Sequence, residues 1–302
     1  MKTDRLVVVL GPTATGKTAL GVKLALALGG EVISGDSRLI YRGLDIGTAK
    51  PTLEERRGIP HHLIDILDLD QPFSVAVFQR LAAAAITETR RRGKLPILVG
   101  GTGLYLRALL RGFNFPAGEP DPDVRRRLLA ELRERGPEEL HHRLQVAAPA
   151  RAGQLHPRDW RRVVRAIETG GVPAGPSQSR YDGLLLGLQM PREALYPRIE
   201  ARVERMLEAG LVEEVRGLLK RGYPPQAPGF ETIGYREVIA HLEGKVPWAE
   251  TVRLIKRNTR RYAKRQLTWF GREEGIHWLP AEPEPGERAL EMVARWSAEG
   301  VE

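Results

Sequence analysis

The 302-residue chain carries 47 lysines and arginines against 38 aspartates and glutamates, a formal net charge of +9, and 42% of its residues are hydrophobic. That content suffices for one sizeable α/β core with a smaller second domain, and the mixture of charges excludes a disordered composition. The absence of cysteine excludes a disulfide framework, a thiolate zinc site and a cysteine nucleophile, while the basic excess favours a polyanion as partner, nucleic acid before a membrane surface.

The N-terminal segment MKTDRLVVVLGPTATGKT holds an apolar stretch too short for a secretory signal, and it runs directly into Gly11. No run reaches the ~18 apolar residues of a membrane span, so a cytoplasmic protein without a membrane role is expected. Apolar, β-branched runs bounded by Gly or Ser at Leu6–Leu10, Glu31–Ser34, His62–Asp65, Pro96–Val99 and Leu184–Gln189 read as buried parallel strands. Helical patterns at Lys17–Ala27 and Val75–Arg91 separate the early strands, which implies βαβ units and a doubly wound sheet. After Phe115 the texture changes: PAGEPDPDVRRR leads into Arg- and Glu-rich helices, and GGVPAGPSQSRYDG reads as a loop or linker. The expected architecture is therefore α/β, a parallel sheet flanked by helices, with an all-helical insertion domain at residues 115–182. The core is discontinuous, residues 1–114 and 183–302. From Pro191 to Phe270 the chain reads as helical, and the tail carries little functional signal.

The segment VVVLGPTATGKT is a strand, then G-x-x-x-x-G-K-T, then a helix start, which is the context a phosphate-binding loop requires. Gly11, Pro12, Thr13, Ala14, Thr15, Gly16, Lys17 and Thr18 form this loop. Its glycines let the backbone curl so that successive N–H groups point at an anion, and the helix N-terminus adds its own N–H groups and dipole. Lys17 places a charge on the outer phosphates and the Thr18 hydroxyl can ligate Mg²⁺. The bland alternative is a chance Gly-rich turn. The sequence has neither the acidic second-strand pair of a motor ATPase nor the N-K-x-D guanine motif. Diphosphate binding follows; the identity of the bound molecule does not.

The strings GPTATGKT, GDSRLIYRGLDIGTAKP, PHHLID, GGTGLY, LHPRDWRRVVRAIE, IGYRE and AKRQLTWF occur in this order. Together they resemble bacterial tRNA dimethylallyltransferases, from about Leu6 to about Arg272. The resemblance implies a P-loop NTPase-like core and transfer of the dimethylallyl group of dimethylallyl diphosphate to N6 of the adenosine at position 37, just 3′ of the anticodon of tRNAs. It further implies Mg²⁺ as cofactor, the tRNA anticodon stem-loop as partner, and a monomer. The adenine amine is a weak nucleophile that must lose a proton as the bond forms, so a carboxylate is needed beside it. By resemblance Asp36, at the carboxyl end of the second strand, is that base; an Asp capping a turn is its alternative. Thr13 would orient the bridging oxygen, and Arg202 would sit near the diphosphate. Arg205, one turn on, is easily confused with Arg202, and either could instead pair with Glu200, Glu204 or Glu208.

Ser37, Arg38, Leu39 and Thr102 match tRNA-contacting positions, with a helix N-cap before Leu104 as the other reading of Thr102. In the insertion, Arg125, Arg161, Arg162, Val163, Val164 and Arg165 match tRNA-facing positions. Arg161 and Arg165 share a helix face, Val163 and Val164 also suit core contacts, and a solvated charged face is the alternative for Arg125–Arg127. Tyr235 and Arg236 match a further tRNA-contact segment. In the last long helix Val252, Ile255, Thr259, Tyr262, Gln266 and Trp269 form a stripe suited to the core. Lys256, Arg260 and Lys264, with Arg253, Arg257, Arg261 and Arg265, form a basic ridge with almost no acid to neutralise it, a phosphate-backbone contact by expectation. The target adenosine would have to leave the loop stack and enter the cavity above the phosphate loop. Three departures stand out: Leu39 where the family commonly has Gln, Thr15 where Ser or Ala is usual, and Arg161 where Gln is frequent. No zinc-finger extension of the eukaryotic kind is present. Three other readings compete: an adenine-nucleotide prenyltransferase, a nucleotide-kinase-like phosphotransferase, and a non-catalytic RNA-binding module. The basic ridge and the insertion argue for macromolecular RNA.

Overall fold

A computed structural model describes residues 4–115, 121–176 and 181–299. The chain divides into two compact units, residues 1–110 with 179–302, and residues 111–178. The first unit is built on strands β1 (Asp4–Leu10), β2 (Gly30–Ser34), β3 (His61–His62), β4 (Leu95–Gly100), β5 (Tyr181–Gln189) and β6 (Ile276–Pro280). They form one parallel sheet in the order β3-β2-β4-β1-β5-β6. β1 lies between β4 and β5, with Val9 opposite both Val99 and Leu186. It alternates sides: Val7 and Val9 enter one apolar cluster, Leu6, Val8 and Leu10 the other. Burial on both faces is what demands its unbroken apolar run.

Helix α1 (Lys17–Leu28) follows β1, and Gly21 lies so close to the sheet that a Cβ there would come 2.5 Å from Val99 Cγ2. After α2 (Leu53–Arg56) and β3, helix α3 (Val75–Arg91) starts at a Ser74 cap whose hydroxyl accepts from Val77 N at 3.2 Å. α3 sets Phe78, Ala82 and Ile86 against the face of the sheet that also receives α4 (Gly103–Leu110) through Tyr105, Leu106 and Leu109.

The second unit contains α5 (Pro122–Arg135), α6 (Pro137–Ala147), α7 (Pro149–Ala152) and α8 (Trp160–Glu168), around a small core of Leu128, Leu140, Leu144, Leu155, Val163 and Val164. Its ends are joined by an antiparallel bridge, Asn114 N donating to Gly175 O at 2.9 Å. Back in the first unit, α9 (Arg192–Glu208), α10 (Leu211–Lys220), α11 (Tyr235–Leu242) and α12 (Trp248–Phe270) cover the loop that follows β2. After β6, α13 (Gly286–Ala298) returns Ala289 and Val293 to the α1 side of the sheet.

Three expectations need correcting. The third strand stops at His62, because Leu63 and Asp65 adopt φ of 61° and 56°, left-handed values incompatible with a continuing strand. Tyr181 and Asp182, assigned by sequence to the insertion, belong to β5 and pair with Asp4 and Arg5. The stretch between Phe270 and the tail, given no element by the sequence reading, supplies a sixth strand, β6, paired with β5 from Leu185 to Gln189. Among the described residues no helix is long and apolar enough to cross a membrane.

Candidate active site

The phosphate loop leaves β1 at Gly11, where φ is +141° and a Cβ would lie 2.5 Å from the Leu188 carbonyl of β5. Only glycine fits that approach. Ala14 and Gly16 take left-handed φ values of 67° and 85°, so the chain curls back and opens α1 with no side-chain cap on its first N–H groups. Uncapped amides at a helix N-terminus are an anion site. Thr15 Oγ1 closes the curl on Pro12 O at 2.9 Å, and Lys17 Nζ donates to the same carbonyl.

A buried glutamine from a distant helix braces the loop. Gln266 of α12 accepts from Thr13 N at 2.9 Å and donates to Gly101 O, after β4, at 2.9 Å. A Cβ at Gly101 would meet Gln266 Nε2 at 2.2 Å. Sequence reading placed Gln266 in a core stripe but not as this bridge: its partners lie far away in the chain, and a 3.6-residue period cannot distinguish an apolar contact from a polar one.

Asp36 sits just beyond β2. Its Oδ1 accepts from Arg38 N at 2.8 Å, the turn-capping geometry, while Oδ2 has no hydrogen-bond partner among the described residues. The turn-capping reading of this residue is thus realised on Oδ1, and Oδ2 is left over from it. Thr102 accepts from Ser37 N at 3.1 Å and donates to Ser37 Oγ at 3.4 Å, and its side chain also hydrogen-bonds Tyr262. The hydroxyl therefore ties two loops together; α4 begins instead on the Thr102 backbone carbonyl. Arg38 donates to Pro228 O at 3.3 Å, and Leu39 is half-buried with its carbonyl on Asp65 N at 3.1 Å.

The loop between β2 and α2 is held from below. Buried Lys50 donates to Tyr41 O and to the carboxylates of Asp45 and Asp65. The Glu214 carboxylate collects the N–H groups of Asp45, Ile46 and Gly47 together with the Tyr235 hydroxyl. This shapes the backbone so that Thr48 O accepts from Arg202 Nη2 at 3.2 Å.

A pocket of about 320 Å³ opens beside the loop, lined by Ala14 and Gly16 and by Arg198, Ala201, Arg202 and Arg205 of α9. The three arginines lie at i, i+4 and i+7, one helix face, so Arg202 and Arg205 both reach the pocket and Arg198 joins them. The spacing was visible in sequence; Arg198 was missed. None of these arginines pairs with a carboxylate of its own helix, because Glu200 and Glu204 are taken by Arg260 and Lys256 of α12.

Burial, followed by repulsion from Arg202, holds the Lys17 ammonium down at about 7, with Asp36 opposing. Arg202 is likewise held below its usual value, first by burial and then by Arg205, again against Asp36. Two cations and a carboxylate therefore share one field. Burial pushes the Tyr262 phenol up, Asp36 adding to the effect, and pushes Tyr105 up to about 12. Among the described residues no group of three His, Asp or Glu side chains could hold a metal.

Several side chains expected at an RNA surface are not there. Tyr235 is 0% exposed and locked to Glu214 and Gly47 N, so it is core and not contact. Val163 and Val164 are each 0% exposed in the core of the insertion, which removes their side chains from any RNA face. Arg236 rests on Glu237 at 2.8 Å. Within the insertion, Arg125 and Arg165 both hold Glu168, at 3.1 and 3.2 Å, Arg162 pairs with Asp159, and exposed Arg161 lies over the Trp160 ring.

The basic ridge on α12 is also narrower than expected. Its cations Lys256 and Arg260 face Glu204 and Glu200, and Arg253 faces Glu250. What remains exposed without an ion pair among the described residues is Arg261, Lys264 and Arg265. The buried side of α12 is Thr251, Ile255, Ala263, Gln266 and Phe270, with Val252, Thr259, Tyr262 and Trp269 only half-buried.

Comparison with known proteins places this geometry. Residues 39–273 match the family model described as IPP transferase. The tRNA dimethylallyltransferase of Symbiobacterium thermophilum is 52% identical over 300 residues, covering 96% of this chain and 94% of that protein. That of Thermomicrobium roseum is 48% identical over 97% of this chain and 92% of its own length. Among solved structures, the tRNA isopentenylpyrophosphate transferase from Bacillus halodurans superimposes with a TM-score of 0.74 at 44% identity, covering 98% of this chain and 96% of its own. A eukaryotic dimethylallyltransferase acting on tRNA gives 0.84 at 29% identity, covering 98% and 80%.

Proposed function

The chain belongs to the IPP transferase family, and on that premise we propose that it transfers the dimethylallyl group of dimethylallyl diphosphate to N6 of the adenosine at position 37 of tRNAs, releasing diphosphate. The observation that carries the reading is the shared field of Lys17, Arg202 and Asp36 at the mouth of the phosphate loop. A diphosphate seated on the loop amides meets Lys17 and Arg202, and an amine approaching from the open side meets the free oxygen of Asp36.

In the reaction N6 attacks C1 of the dimethylallyl group as the C1–O bond breaks, and the bonding electrons leave with the diphosphate. The proton shed by N6 passes to Asp36 Oδ2. Lys17, Arg202 and the amides of Gly16 and Lys17 stabilise the charge that grows on the leaving group. Thr13, whose backbone N–H is held by Gln266, orients the bridging oxygen through its hydroxyl in this reading. The residues present fit Mg²⁺: Thr18, in the first turn of α1, would offer one hydroxyl, with diphosphate oxygens and water as the other hard ligands. When bound there, the ion neutralises leaving-group charge.

For the anticodon stem-loop, exposed Arg161 and Arg162 of the insertion, with Arg261, Lys264 and Arg265 of α12, supply phosphate contacts. Ser37, Arg38 and Thr102 border the place where a flipped adenine is received.

The reading is tested by incubating the protein with dimethylallyl diphosphate, Mg²⁺ and a tRNA bearing adenosine at position 37, then weighing the nucleosides. The expected product is N6-dimethylallyl adenosine at that position alone. Phosphoryl transfer from ATP to a small acceptor, with no prenylated nucleoside, would overturn it in favour of the kinase-like alternative.

A further inference from the structure

The arginine row along the pocket is not uniform. Arg202 is turned inward onto Thr48 O, whereas Arg198 stands at the outer rim with its guanidinium on the Glu282 carboxylate, in the segment that follows β6. The Arg198–Glu282 pair is open to water, with the two side chains 43% and 58% exposed. Such a pair contributes little net stabilisation, because solvent screens it and two long side chains must be held still.

A diphosphate in the same pocket is a stronger partner for a guanidinium. It carries more charge, accepts several hydrogen bonds at once, and displaces water that would otherwise screen them. Ala201, between the arginines on α9, adds no bulk that would keep the guanidinium groups from converging.

The segment that carries Glu282 does not depend on Arg198 for its place. Ala281 N donates to Gln189 O at 2.8 Å, and Glu284 pairs with Lys23 of α1 at 2.6 Å. Arg198 can therefore let go of Glu282 without releasing the backbone on either side of it.

Resting on the reading of the loop as a diphosphate site, we propose that Arg198 is a further diphosphate-binding residue that exchanges Glu282 for the ligand on loading, and that Glu282 is an internal competitor setting the affinity of the site. The chain thus supplies its own anion to the outer arginine, and the ligand wins it by charge.

The test is calorimetric titration of the full chain with inorganic diphosphate and Mg²⁺ at low salt. E282Q removes the competitor and is expected to tighten binding about 2- to 5-fold, the range an exposed ion pair accounts for. R198A is expected to weaken it about 10-fold or more, the loss of a hydrogen-bonded charge. In the R198A/E282Q double variant the gain from E282Q disappears, because no arginine is left to release. Both substitutions are at exposed positions, and unchanged melting temperatures in the three variants confirm the fold.

Binding by the wild type that E282Q leaves unchanged or weakens overturns the exchange. A gain from E282Q that persists without Arg198 does so too, since it would reflect net charge alone. No binding of diphosphate by the wild type would bring down the parent reading of the loop, and this inference with it.

Discussion

In the proposed reaction Asp36 takes a proton from an amine whose lone pair is delocalised into a purine ring, beside two cations assigned to the leaving group. Asp36→Asn keeps the Oδ1 acceptor for Arg38 N but cannot accept the proton. Turnover is expected to fall about 10²- to 10⁴-fold, the usual scale for a lost general base, while the Kd for tRNA changes little. Steady-state kinetics with a filter-binding Kd check this; equal losses in both would make Asp36 a positioning or RNA-holding group. Lys17 gives a second prediction at this scale. Its folded value near 7 lies below the ordinary 10.5 of an unfolded lysine. Between those limits the unfolded chain binds a proton the native chain has shed, so stability rises with pH across that window and not below it. Bound diphosphate reverses the balance by favouring the charged ammonium, so binding takes up a proton above pH 7. Affinity for inorganic diphosphate should then fall with rising pH more steeply in the wild type than in Lys17→Arg, measured in two buffers of different ionisation enthalpy. Parallel pH profiles for the two proteins would remove Lys17 from the linkage.

The residues most legible in sequence were those whose partners are close along the chain. Gly11 to Thr18 form a local motif, and Gly11, Ala14 and Gly16 give the backbone the curl that such a motif requires. Gln266, Tyr235 and Arg198 were not legible in that sense. Gln266 reaches Thr13 and Gly101, Tyr235 reaches Glu214 and Gly47, and Arg198 finds Glu282, so each role depends on contacts that no local pattern encodes.

Among the elements, α12 shows best how periodicity succeeds and fails. The stripe at three- and four-residue steps announces a helix packed on the core, although only its Ile255 and Gln266 are buried, and the opposite face was read as one ridge. It is two surfaces. Lys256 and Arg260 are spent on Glu204 and Glu200, which set α9 and its arginine row in register with α12; Arg261, Lys264 and Arg265 remain in solvent. Neutralising the exposed three should lower the salt slope of tRNA binding, by up to about 0.7 per lost phosphate contact on single-stranded segments. Neutralising Lys256 and Arg260 should act instead on the diphosphate pocket and on melting temperature, through loss of the α9 pairing. Binding isotherms over a range of salt separate the two sets, and identical slopes in both variants would contradict the division. β6 was missed for a different reason: a five-residue edge strand pairs on one side only and carries half the apolar signal of β1. β3 was overextended because His62 to Asp65 is apolar enough for a strand, whereas positive φ at Leu63 and Asp65 turns the chain toward the site.

At the scale of the molecule, a phosphate loop on a parallel α/β sheet is shared by proteins that hydrolyse or transfer phosphoryl groups, and fold alone does not decide between them. What separates this chain is where bonds are cut. A kinase or ATPase breaks a P–O bond and keeps the bridging oxygen off the transferred group. The proposed reaction sets the cations on a whole diphosphate and the carboxylate beside an incoming amine, which calls for cleavage on the carbon side. The most direct measurement is turnover with tRNA and dimethylallyl diphosphate carrying ¹⁸O in the bridge between C1 and phosphorus. The account predicts that all of the label appears in intact diphosphate and none in the modified nucleoside. Label in dimethylallyl alcohol or release of orthophosphate would mean that the loop cuts phosphorus–oxygen bonds, and would contradict the account.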